Sequence, residues 1–153
     1  MRVRCLVVLM LFAACSKPAE KAPEATPPAA ASPTAAPAFS LADAAGKWTY
    51  VAKSTTGDTV LVTAELDATV DDKGWMLLFP GRPPLPMRLT ISGDSLMTAV
   101  GPYESVLRKG VQVTTNGVLR LSDGKLVGTA VAHYTTTGAD SVKALLVEAT
   151  RKP

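Results

Sequence analysis

Few residues in this chain are of a type that does chemistry, and their spacing is poor for it. The single histidine, His133, stands alone in an alternating stretch between Val131 and Thr135. A lone histidine on such a stretch is more often packed or solvated than a base. Asp71 and Asp72 are adjacent and followed by Lys73-Gly74, so they read as a solvated turn. Two carboxylates that cleave a glycosidic bond must face each other across a cleft, which neighbours in a turn do not do. No Gly-x-Ser-x-Gly elbow, His-Glu-x-x-His pair, glycine-rich phosphate loop or cluster of metal ligands is present in the sequence. The chain is therefore not expected to be an enzyme, and no cofactor or metal is expected. The best candidates for binding lie in two loop-like stretches. One, GPYESVLRKG at residues 101–110, sets an aromatic, an acid and two bases between glycines; the other, PGRPPLP at residues 80–86, is too proline-rich for a central strand. Tyr103, Glu104 and Arg108, with Arg82 from the second stretch, are the expected binding rim.

The two cysteines, Cys5 and Cys15, sit in a different kind of segment. Arg2 and Arg4 give a positive start, residues 6–14 are apolar, and Ala13-Ala14 are small residues suited to a peptidase cut. That is a secretory signal, far shorter than the ~20 apolar residues a membrane-spanning helix needs. Phe12-Ala13-Ala14-Cys15 resembles the bacterial lipobox. The resemblance implies cleavage after residue 14, a diacylglycerol on the Cys15 thiol, and membrane attachment through that lipid. It also implies that no free thiol remains in the mature chain, which removes disulfide, thiolate-metal and cysteine-nucleophile chemistry. Several acyl chains, each gaining about 0.8 kcal/mol per buried methylene, would make the attachment lasting. Ser16 stands where retention signals for the inner membrane typically carry aspartate. The expected location is the cell envelope, on the periplasmic face of the outer membrane if the host has two membranes.

Composition divides the remainder of the chain in two. In residues 15–38, after Cys15-Ser16, 15 of the 22 residues from 17 to 38 are proline or alanine and none is a large hydrophobe. Such a stretch builds no core and reads as an extended tether. Residues 39–153 are enough for one domain. Their 12 basic and 11 acidic side chains nearly cancel, and no cluster of Lys and Arg offers an electrostatic footprint for nucleic acid.

The elements that would position the rim have a period of two. Val60, Val62, Ala64, Leu66, Ala68 and Val70 alternate strictly with polar residues, the signature of a half-buried strand. A turn at residues 71–74 would set Val70 against Trp75, Ala68 against Leu77 and Leu66 against Phe79. Gly93-Asp94 as a two-residue turn would pair Ile91 with Leu96, Leu89 with Thr98 and Met87 with Val100. A three-residue turn at Thr115-Asn116-Gly117 would pair Val113 with Leu119. Asp123-Gly124 turns into residues 125–134, and a last strand covers 142–150; either face of these two strands is eligible to point inward. A single helical turn fits residues 103–109.

Eight or nine strands in sequential hairpins predict an all-β domain: an antiparallel up-and-down barrel that closes on itself, with a β-sandwich as the alternative. Gly46-Lys47-Trp48 resembles the Gly-x-Trp start of the calycins, the superfamily of lipocalins and avidins. That resemblance implies a tryptophan plugging one barrel end, an arginine from the final strand packed over it, here Arg151 by position, and a small apolar ligand inside. The expected inward residues, Trp48, Tyr50, Leu66, Trp75, Leu77, Phe79, Leu89, Ile91 and Leu96, are bulky enough to fill the barrel instead. The expected function is a structural or protein-interaction role in the envelope, with a lipocalin-like small-ligand role as the alternative.

Overall fold

The computed structural model describes residues 38–153. The signal, Cys15 and all but the last residue of the tether lie outside the described residues.

Eight antiparallel strands close into one barrel in chain order. They are β1 Gly46–Ser54, β2 Val60–Ala68, β3 Met76–Leu78, β4 Leu85–Ser92, β5 Ser95–Glu104, β6 Gln112–Ser122, β7 Lys125–Tyr134 and β8 Val142–Arg151. Each strand pairs with the next, and β1 pairs with β8 as well as with β2, so the sheet closes on itself and rules out the sandwich; the seam is narrowest at β3, which pairs three residues with β2 and two with β4. Alternation in the sequence becomes alternation in burial. Trp48, Tyr50 and Ala52 of β1 point inward, as do Ala64, Leu66 and Ala68 of β2. The two undecided strands are settled too: β7 buries Leu126, Ala130, Ala132 and Tyr134, and β8 buries Leu145, Val147 and Ala149.

Hairpins with two-residue turns form as their residues dictate. Gly93 adopts φ 58°, and Met87, Leu89 and Ile91 pair with Val100, Thr98 and Leu96. Asp123-Gly124 carries positive φ at both positions and joins β6 to β7. Ile91, however, is 45% exposed, because it lies at the barrel's rim rather than in its core.

Three expectations are corrected. Strand β2 ends at Ala68, and Leu66 pairs with Leu77 rather than Phe79. Asp71 causes the difference: its Oδ1 accepts the backbone N–H of Lys73 at 3.0 Å and of Gly74 at 2.9 Å, and the Thr69 hydroxyl at 3.1 Å. That knot makes a wider loop at 69–75, leaves Val70 68% exposed, and still buries Trp75, whose Nε1 donates to the Thr69 carbonyl. Val60, at the other end of β2, is likewise exposed. Asn116-Gly117 is not a turn but the middle of β6; Thr115 pairs with Val100 and Leu119 with Leu96. Gly117 is needed there for space, since a Cβ would lie 2.8 Å from Thr98 Oγ1. Finally, residues 103–109 hold no helical turn: Tyr103 and Glu104 complete β5, and the loop at 105–111 bends without helix.

One end of the barrel is plugged. Ser40 caps the short helix α1, Leu41–Ala44, by accepting the Asp43 N–H, and the helix covers Trp48. Trp48 is fully buried, and its Nε1 donates to the Ala44 carbonyl at 2.9 Å. The Arg151 guanidinium carbon lies 4.3 Å from the centre of the Trp48 ring, and its nitrogens donate to the Asp43 and Ala45 carbonyls. The chain enters at this same end, where Phe39 is buried and its N–H meets the Gly93 carbonyl at 2.8 Å.

Candidate functional site at the barrel mouth

Antiparallel order puts four loops at the opposite end: 55–59, 79–84, 105–111 and 135–141. All four expected rim residues lie there, but they serve to close the mouth rather than to line an open one. Arg82 reaches across from the 79–84 loop and donates to the backbone carbonyls of Glu104 and Ser105. Glu104 turns its carboxylate back to accept the Gly110 N–H at 2.9 Å. Arg108 donates to the Asp140 carbonyl at 2.7 Å and lies 4.3 Å above the centre of the Tyr134 ring. Its partner carboxylate, Asp140, belongs to the one-turn 3-10 helix Ala139–Ser141, so the pair ties two loops together. Tyr103 points inward, its ring 5.8 Å from that of Phe79 and its hydroxyl 3.1 Å from Thr115 Oγ1.

Ser105 is the residue that sequence reasoning missed. It is nearly fully buried, and its hydroxyl accepts the N–H groups of Leu107 and Arg108, which folds the 105–111 loop over the mouth. The serine-turn pattern was readable in Ser105-Val106-Leu107-Arg108, but its place above the barrel was not.

Beneath this lid the three tyrosines of the chain converge. Tyr50 and Tyr103 line the interior, and Tyr134 closes it from β7 under Arg108. Burial raises the Tyr50 phenol well above its ordinary value, and the nearby Tyr103 adds to the effect. Tyr103 is also raised, mainly by burial, with the Thr115 hydrogen bond working the other way. These are neutral phenols, not poised bases. The space that Tyr50 and Tyr103 share with Val62, Leu77, Phe79, Met87, Val100, Leu145 and Val147 measures about 40 Å³. That holds a few waters, against 300–1,000 Å³ for the usual small-molecule site.

The remaining chemistry-bearing residues are dispersed. His133 is exposed on the outer face of β7 opposite Thr114, and Asp71 is occupied with its own loop. The backbone N–H groups of Lys73 and Gly74 hold the Asp71 carboxyl below the usual carboxylate range. Among the described residues no three acids or histidines come together as a metal site. Compared with family models, curated proteins and solved structures, the chain matches none.

Proposed function

We propose that this protein is a lipoprotein anchored in the cell envelope through Cys15, and that its barrel is a non-catalytic interaction module. The observation that carries the second half is the filled interior: the space beneath the mouth, about 40 Å³, has no room for a drug-sized apolar ligand unless its lid moves. That weighs against the lipocalin-like alternative, although the plugged end, with arginine stacked on tryptophan, supports kinship with the calycins. The lid itself offers the contact surface. Val106 and Leu107 are 38% and 39% exposed at its tip, on the end of the barrel opposite the chain's entry. With the lipid in the outer membrane of a host that has one, the barrel would lie on the periplasmic side.

Two measurements test the reading. Replacing Cys15 with serine should abolish incorporation of a palmitate analogue and release the protein from the membrane fraction. A photo-reactive amino acid at position 107 should trap one discrete envelope protein in intact cells, whereas one at Thr150, beside the plugged end, should not. Unchanged acylation would sink the anchoring, and the absence of any adduct at 107 would sink the interaction role.

A further inference from the structure

The outer wall of the barrel carries a groove that neither the interior nor the mouth accounts for. Strand register fixes its composition, because two rungs of outward side chains cross β4 to β7. One rung is Thr90, Met97, Val118 and Thr129; the next is Arg88, Ala99, Asn116 and Val131. Met97 and Val118 form an apolar ridge, 48% and 41% exposed. Beside it Ala99 is too short to fill the space between Arg88 and Asn116, and the floor is backbone around Thr98, Gly117 and Ala130. The hollow measures about 490 Å³, within the range of small-molecule sites and far larger than the 40 Å³ inside the barrel.

Its charge is one-sided. Four of the five arginines in the described residues are held by protein acceptors: Arg82 and Arg108 at the lid, Arg120 by Asp94 and Ser95, Arg151 over Trp48. Arg88 makes no ion pair and no side-chain hydrogen bond among the described residues, and no acid lines the groove. An unpaired arginine on a surface is ordinarily just solvated. Here it stands at the end of an apolar trough with no counter-charge, which is a different situation.

We propose that this groove binds a free, small amphipathic anion, its hydrocarbon body lying against Met97, Ala99, Val118 and Val131 and its carboxylate on Arg88. A guanidinium takes a carboxylate in two parallel, charge-assisted hydrogen bonds, which fixes the ligand's direction. Aliphatic wall and hydrocarbon then leave water together. The site stands apart from the interaction role proposed for the lid and neither requires nor excludes it.

The test is an amide NMR titration of the full chain carrying Cys15→Ser, with decanoate and with uncharged decanol as probes. Decanoate should shift the amides of residues 97–99, 116–118 and 129–131 saturably. Arg88→Gln should weaken decanoate by about tenfold or more, to the level of decanol, which itself should not respond to the change. Met97→Glu should abolish decanoate binding through repulsion. Arg88 is exposed and without partners, so its variant should melt as the parent does. The proposal is overturned by the absence of saturable shifts, by shifts confined to the mouth, or by an unchanged affinity in Arg88→Gln. Self-association that Met97→Glu abolishes would also overturn it, giving the groove to a second copy. So would a discrete protein cross-linked from position 118 in cells.

Discussion

At the scale of single residues, the polar side chains inside and around this barrel hold the fold closed. Arg151 and Arg108 do the same work at opposite ends: each stacks on a buried aromatic and donates to backbone carbonyls of a neighbouring loop. The tyrosines respond to the closure. Tyr50 has an ordinary value of 10.0, and burial raises it in the folded chain. Above pH 10 the unfolded chain therefore releases a proton that the folded chain keeps, so stability is full below pH 10 and declines as pH rises toward the folded value. Replacing Tyr50 with phenylalanine should flatten that alkaline decline in melting temperature. At pH 7 it should change stability by no more than about 1 kcal/mol, since burial and Tyr103, not a hydrogen bond, dominate its phenol. An alkaline slope identical to the parent's would contradict this account. None of it was visible in the sequence, where Tyr50 was only one inward residue among several. The rim residues were legible by type, because an aromatic, an acid and two arginines clustered in loops. Their engagement with one another was not, because Arg108 meets Asp140 across 32 residues and Arg82 meets Glu104 across 22.

At the scale of strands and turns, local rules read well where the turn was short. Gly93-Asp94 and Asp123-Gly124 leave no freedom of register, so their hairpins could be read directly from the residues. They failed where a residue had two uses. Asn116-Gly117 is a favoured turn dipeptide, but in β6 the glycine makes room for Thr98 from the neighbouring strand, a contact no local pattern contains. Asp71 looked like a simple turn former, yet its three accepted hydrogen bonds widened the loop and shifted the pairing of β2 with β3. Crowding also explains Gly128, where a Cβ would overlap the Val118 carbonyl oxygen and lie 3.0 Å from the Leu119 Cα. These are backbone atoms and cannot swing aside. Gly128→Ala should cost about 2–4 kcal/mol in denaturant unfolding. Asn116→Val, exposed in mid-strand, should stay within about 0.5 kcal/mol. A large loss in the second and none in the first would fit a turn at 116–117 and contradict the continuous strand.

At the scale of the molecule, closing the sheet pairs β1 with β8 and leaves only the stretch beside the three-residue β3 thinly paired, and buried side chains fill the middle. Period-two alternation in sequential hairpins pointed to the barrel but left a sandwich open, and bulky inward residues such as Trp48, Tyr50, Trp75 and Phe79 suggested a full interior without deciding it. What decides it is where the aromatics meet: Trp48 and Trp75 toward one end, Tyr50, Phe79 and Tyr103 toward the other. The groove on the outer wall was illegible for the complementary reason. It is an empty space between rungs, and a sequence records side chains, not the gaps that register leaves between them. The filled barrel is the central claim, and methyl NMR tests it most directly. The full chain is titrated with an apolar, uncharged naphthalene while the methyl signals of Val62, Leu77, Val100, Leu145 and Val147 are monitored. The account predicts that these interior methyls neither shift nor show contacts to the probe. Saturable shifts with probe-to-methyl contacts would contradict it, and would make the barrel a carrier of small apolar molecules instead.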